Sequence, residues 1–437
     1  METSLANDLS EKYSGIPDRG RFSLDGSVPN VVIAPSDATA AARALAEIAR
    51  AEAVCVPWGG GTQQSLGFIP APYDLAISTA NLTRVVDLQP GDLTVTVQAG
   101  MTLASVQELL GKHGQFVALE SAHPDLETIG GILATGASAL LRYAYGGPRD
   151  QVIGITAAMP DGTVVRGGGR VVKNVAGYDL CKLFTGSMGT LGLLVEATFR
   201  VRPLPSVSRT WVAAFGSASD VETAVSEIVD SPMLPSFIQC ADPGACSSLA
   251  PFLPAGLPDD CWMLALGCDG VEALSLWTCD EATRVSGSKW TRALEGAESA
   301  SLRGALIEGP FGASKVRVSV RGSQLMEFME GARSLILSEA GSTVAAIAAA
   351  GNGVAYLSFD AAGNDPAAHL AVLDRLADMA VELEGTLAVL RCPAEVRSTA
   401  PMWGRARPTQ GLMKRIRRAF DPGLNLNRGR LFRGEEV

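Results

Sequence analysis

Gly186, Gly189 and Gly192 recur every third residue in KNVAGYDLCKLFTGSMGTLG (173–192), beside Lys173, Asn174, Tyr178, Asp179 and Lys182. Two more glycine-rich runs precede it, PWGGGTQQSLG (57–67) and HPDLETIGGILATGASALL (123–141). Glycine admits positive φ and lets amide N–H groups approach a ligand closely. Consecutive N–H groups in such a turn form a concavity for an anion. Any one of these runs alone reads as a turn. Three in one stretch, each after an apolar strand-like segment, predict a nucleotide-like ligand. Neither common phosphate motif is present: no G-x-x-x-x-G-K-[ST] occurs, and no G-x-G-x-x-G opens a helix.

Groups for acid–base work are scarce. The histidines are His113, His123 and His369. His113 closes a helix, His123 precedes a glycine run and suits a structural hydrogen bond, and His369 reads as a helix-surface residue. No catalytic base emerges from them. Arginine forks match carboxylates, and the candidates are Arg317 and Arg321 in KVRVSVRG, Arg391 in VLRCP, and Arg405 and Arg407 in MWGRARP. Lys315, Arg317 and Arg321 share one strand face, which a solvated sheet explains equally well. MWGRARP is the more suggestive loop. The eight cysteines show no C-x-x-C pairing, so no zinc or iron–sulfur site is predicted, and they read as thiols in a reducing cytoplasm.

These residues need elements to position them. At 437 residues the chain exceeds one ordinary core. Residues 1–205 alternate short strands, turns and helices, with hairpins at Pro-Gly-Asp and Pro-Asp-Gly. Residues 206–395 repeat strand–helix–strand units, which predicts a ferredoxin-like α+β domain. Residues 396–437 carry GLMKRIRRAF, expected to turn Leu412, Met413, Ile416, Ala419 and Phe420 inward and Lys414, Arg415, Arg417 and Arg418 outward. A net charge of −10 and 6% aromatics weigh against nucleic acid. The mean hydropathy of +0.19 fits surface buried against partners. No apolar run approaches the roughly 20 residues of a membrane span, and the polar N-terminus does not read as a secretion signal.

VPWGGGTQ, TIGGILATGASA…YGGPRDQVIG, VKNVAGYDLCKLFTGSMGTLGLLVEATFRVRP and RIRRAFDPGLNLNRGRL together resemble the FAD-linked oxidases of the vanillyl-alcohol-oxidase, or PCMH, type. The segment 173–192 is most similar to the FAD-binding subunit of bacterial glycolate oxidase. The resemblance covers the first 205 residues almost continuously, then only the tail. It implies an α+β fold: a two-subdomain PCMH-type FAD-binding domain (1–205), an α+β cap (206–395) and a segment returning to the flavin (396–437). It places Gly59, Gly60, Gly61, Thr62, Gln63 and Ser65 near the pyrophosphate. Thr128, Ile129, Gly130, Gly131, Ala134 and Thr135 match the second loop. Gly192, Leu194 and Glu196 match the run that lines the cofactor. Asn427 and Arg430 fall on the tail's N-P-G-R motif, where Arg428 replaces the proline.

Relatives that hold FAD covalently use a histidine in the first loop; Thr62-Gln63 stands there, so FAD is expected to be non-covalent. Lys173 and Lys182 fit three roles: phosphate neutralisation, a partner's carboxylate, or a solvated loop. Substrate-oxidising relatives supply paired histidines and a glutamate in the cap, often on a metal. That set is missing here, so no metal is expected. The resemblance therefore implies an FAD-binding subunit of a glycolate oxidase complex, relaying electrons between a substrate-oxidising flavin subunit and an iron–sulfur subunit. The substrate would be a small 2-hydroxy acid. The chain would be cytoplasmic, with any attachment to the inner membrane made through partners. Two alternatives stand beside it: a self-sufficient 2-hydroxy-acid dehydrogenase with an arginine-clamped site, and a scaffold with a vestigial flavin site.

Overall fold

Asp37 opens the first long helix, Ala38–Arg50, by accepting from the Ala40 N–H at 2.8 Å. Along it Ala41, Ala44, Leu45 and Ile48 recur at helical spacing and are buried, each of the two larger side chains contributing about 1.5–3 kcal/mol. They cover three parallel strands lying in the order Val31–Ile33, Leu75–Ser78, Cys55–Trp58. The computed structural model describes residues 3–70, 72–169, 178–258 and 260–434.

A five-stranded antiparallel sheet follows, in the order Val85–Gln89, Thr94–Gln98, Leu193–Arg200, Val152–Ala158, Val164–Gly168. Ile129, Ile132 and Leu133 of the helix Ile129–Thr135 pack on it with Phe184 and Phe199. The second glycine run is thereby fixed to a sheet at its C-terminal side, and the Leu103 and Ala104 N–H groups hold its N-terminal side by donating to the Glu127 and Pro124 oxygens.

The rest of the chain builds one eight-stranded antiparallel sheet from two copies of one motif. Val207–Phe215, Ile238–Ala241, Trp262–Gly270 and Trp290–Leu294, with helices Ala218–Asp230 and Glu272–Ser286, form a β-α-β-β-α-β unit. Ser314–Ser319, Val344–Ala349, Val354–Phe359 and Thr386–Arg391, with helices Leu325–Ala340 and Pro366–Glu382, form the second. Within each unit the first strand lies between the third and the fourth. The two join where Gln239–Ala241 pairs with Ile347–Ala349. The single ferredoxin-like unit expected from sequence is thus a fused pair. Alternation runs through the sheet: Trp211 and Ala213 face the four long helices, while Val212 and Ala214 face the other way, into a core that Leu140 joins.

The tail closes back on the first sheet. Leu426 bridges Cys55 in parallel, and the Asn427 N–H donates to the Cys55 oxygen at 2.9 Å.

Candidate functional site

The first glycine run leaves strand Cys55–Trp58 and turns at once against the second. A Cβ on Gly60 would sit 1.8 Å from the Leu126 oxygen, and one on Gly59 would sit 2.3 Å from Thr128 Oγ1. Gly61 has a φ of +77°, a left-handed conformation that favours glycine. Glu127 ties the two runs together, accepting from Gln63 Nε2 at 3.0 Å and Thr62 Oγ1 at 3.3 Å. Thr128 caps the following helix, its Oγ1 accepting from the Gly131 N–H at 3.2 Å. Among the described residues, the N–H groups of Gly60, Gly61, Thr62 and Gln63 meet no protein acceptor.

The third run and the tail complete a groove. Asn427 Nδ2 donates to the Met188 oxygen at 2.6 Å. Arg430 is buried and donates to the Gln64 oxygen at 2.7 Å and to Gln64 Oε1 at 2.8 Å. Burial, then the charge of Arg397, lowers its pKa to about 10, which leaves it cationic at neutral pH. Gly59–Gln63, Thr128, Gly130, Gly131, Ala134, Thr135, Gly192, Leu194, Asn427 and Arg430 all line this groove. Ser187 Oγ, Asn427 Oδ1 and Arg430 Nε line it as buried atoms without protein partners. Free backbone donors, a cradle that any Cβ would fill and unmatched polar atoms together suit a phosphate-bearing dinucleotide.

Three residues expected in the groove lie elsewhere. Ser65 donates to the Leu390 oxygen at 3.1 Å and lines the adjoining cavity. Ile129 is fully buried in the sheet–helix core. Glu196 accepts from Thr156 Oγ1 at 2.9 Å within the five-stranded sheet. Glu127, Ser187 and Met188 line the groove without having been singled out; each sits inside or beside a glycine run, which was the available signal. Thr79 also lines it, and its surroundings in the sequence carry no such mark. Lys173 and Asn174 lie outside the described residues. Lys182 pairs with Asp179 at 3.0 Å, both half exposed, and Tyr178 is 95% exposed.

A second cavity, about 390 Å³, lies between this groove and the eight-stranded sheet and shares Thr62, Gln63, Glu127 and Thr135 with it. Lys315, Arg317 and Arg391 line it from neighbouring strands, and Arg142 lines it from the first half of the chain. Lys315 Nζ donates to the Glu308 oxygen at 2.8 Å, and Arg391 Nη2 to the Gly312 oxygen at 2.6 Å. Burial, reinforced by Arg391, lowers the Lys315 pKa. Glu120 also lines the cavity, its Oε2 accepting from the Leu141 N–H at 2.7 Å. Among the described residues, no three His, Cys, Asp or Glu side chains gather as a metal centre.

Several sequence expectations change here. Arg405 binds Asp374 at 2.8 Å and Asp378 at 2.7 Å, and Arg407 donates to the Gly385 oxygen at 2.6 Å. Both arginines thus brace the second repeat and line neither the groove nor the cavity. Arg321 pairs with Glu384 in solvent. His369 is fully buried, its Nδ1 2.9 Å from Ser314 Oγ and its ring 5.6 Å from that of Phe359. It sits on the same helical stripe as Val372, Leu373 and Leu376, so it belongs to the core. In the basic helix Gln410–Phe420 the expected faces are partly exchanged. Arg417 is buried and donates to the Leu426 oxygen at 2.8 Å, while Leu412, Met413 and Ala419 are exposed. The carbonyls of the returning tail need a donor there, and that need outweighs the apolar pattern.

Comparison with known proteins agrees with this groove. Residues 29–168 match the family model described as FAD binding domain. The glycolate oxidase subunit GlcD of Bacillus subtilis (strain 168) is 30% identical over 232 residues, 53% of this chain and 49% of that protein. The mitochondrial D-lactate dehydrogenase [cytochrome] of Arabidopsis thaliana is 31% identical over 220 residues, 50% of this chain and 38% of that protein. The chain thus matches about half or less of the length of these curated relatives. The structure of an alkyldihydroxyacetonephosphate synthase superposes with a TM-score of 0.75 at 14% identity, over 98% of this chain and 85% of that one; that likeness shows the PCMH-type fold. Residues 29–168 thus form an FAD binding domain, FAD is the cofactor that its groove fits, and over about half its length the chain is similar to GlcD-type FAD-linked oxidases.

Proposed function

We propose that this chain oxidises a small 2-hydroxy acid at the cavity between its FAD groove and its cap, and passes the electrons to partner subunits of a glycolate-oxidase-type complex. The observation that carries the reading is the cavity's lining of cations: Lys315, Arg317 and Arg391 converge within it, and it shares four residues with the groove. Guanidinium groups bind carboxylates through paired, charge-assisted hydrogen bonds. A carboxylate held there directs the rest of a small acid toward the shared wall of Thr62, Gln63 and Thr135.

In this reading the N–H groups of Gly60–Gln63, with Arg430 nearby, would hold the phosphates of FAD, and no covalent bond to the cofactor would be needed. When bound, FAD supplies the two-electron acceptor that no side chain offers. The protein's share is to bind, orient and desolvate the acid. The division 1–205, 206–395 and 396–437 then has a functional sense: cofactor domain, substrate lid and a tail that locks the first glycine run.

A second reading is the relay subunit, which accepts electrons from another flavin subunit. It is favoured by the absence, among the described residues, of a histidine-rich metal cluster like that of substrate-oxidising relatives. Turnover separates the two. Purified chain, loaded with FAD and given an artificial electron acceptor, is expected to oxidise glycolate or D-lactate. Failure on every small 2-hydroxy acid, with activity appearing only when another flavin subunit is present, would favour the relay.

A further inference from the structure

We propose that Glu120 is the proton-accepting residue of the cavity, taking the hydroxyl proton of a 2-hydroxy acid whose carboxylate lies on Arg317 and Arg391. This rests on the substrate-oxidising reading above. Three acids have side chains or backbone on the cavity wall: Glu120, Glu127 and Glu308. Glu127 is held by Gln63 and Thr62 as the tie between glycine runs, and Glu308 offers its backbone oxygen to Lys315. Glu120 meets only backbone, the Leu141 N–H with the Leu140 N–H beside it, and has no side-chain hydrogen-bond partner among the described residues.

Its surroundings suit a base. The guanidinium nearest in electrostatic effect, Arg303, is bound by Asp269 at 2.7 and 3.1 Å, whose charge opposes the pull of Arg303 on Glu120. Arg142 and His123 face the cavity from the first half of the chain, and Lys315, Arg317 and Arg391 face it from the sheet. Burial pushes the Glu120 carboxyl up to about 7, opposed by the Leu141 N–H and by Arg303, and aided by Asp269. A base of that strength works at neutral pH.

The step balances. The hydroxyl O–H bond breaks and its proton goes to the Glu120 carboxylate. The α-C–H bond would break, with bound oxidised FAD supplying the acceptor for its hydrogen and electron pair, and the former hydroxyl carbon would become a carbonyl. The substrate loses two electrons and the cofactor gains two.

Two measurements test this. In FAD-free protein, the carboxyl stretch of Glu120 is followed by infrared difference spectroscopy across pH 5–9, with Glu120→Gln as the blank. A carboxyl that titrates near 7 and vanishes in the variant is expected; ionisation complete below pH 5 would overturn the assignment. In FAD-loaded protein, anaerobic flavin reduction by glycolate or D-lactate is timed against pH. Glu120→Gln is expected to slow it about 100- to 10,000-fold and to abolish the acidic limb of the profile, with the acid's binding constant changed less than about threefold. Wild-type reduction that the variant reproduces, limb included, overturns the role of Glu120 and leaves the proposed function standing. No reduction of wild type by any 2-hydroxy acid overturns the proposed function, and this role with it.

Discussion

In the proposed FAD cradle Gly60 is the position where one added atom should matter most. Its Cβ would fall 1.8 Å from the Leu126 oxygen, and backbone on that side cannot yield without moving the second glycine run. Gly60→Ala is therefore expected to purify without flavin colour, or to bind added FAD at least about 100-fold more weakly, by fluorescence titration; wild-type loading would contradict the cradle. Arg317→Met removes a charge-assisted contact worth about 1.5–3 kcal/mol, so KM for the acid should rise about 10- to 150-fold with kcat less affected. Glu120 adds a pH signature in stability. Its carboxyl is raised from the ordinary 4.5 to about 7, so between those values the native state holds more protons than the unfolded chain, and stability through this group falls as pH rises. The stability of Glu120→Gln relative to wild type should accordingly rise between pH 5 and pH 8 in urea denaturation. The meeting of the glycine runs in one groove was legible because their types and spacing call for close backbone approach. Glu120 was not, because burial by residues near Leu141 and a charge pair at Asp269–Arg303 set its character, and those lie far along the chain.

The elements that hold the site are braced by buried charge. Arg397 sits 2.5 Å from Asp25 and donates to the Gly67 oxygen at 3.2 Å, joining the short helix Ala394–Arg397 to the first glycine run. Removing the acid alone leaves a buried, unpaired guanidinium, which costs about 3–5 kcal/mol. Asp25→Ala should lose that much in urea denaturation, while Asp25→Ala with Arg397→Met should recover part of it; equal losses would contradict the brace. At this scale strand–helix alternation made the ferredoxin-like units legible. Their fusion was not, since Gln239–Ala241 and Ile347–Ala349 are short apolar strands whose pairing leaves no periodic trace. The basic helix went astray for a related reason. Arg417 answers a carbonyl at Leu426 that its own helix does not contain.

Across the whole molecule, an acidic chain of net charge −10 encloses a cavity lined by lysine and arginines beside an FAD groove. That contrast is what the proposed chemistry needs, a local attraction for small acids next to a two-electron acceptor. Among the described residues no helix is long and apolar enough to cross a membrane. The central claim is that this chain itself takes electrons from a 2-hydroxy acid. The direct measurement is the visible absorption of the FAD-loaded chain, alone and without oxygen, before and after glycolate or D-lactate is added. The account predicts prompt bleaching of the flavin bands. Bands that stay oxidised in the isolated chain, yet bleach once another flavin subunit is added, would contradict it and make the protein an electron relay.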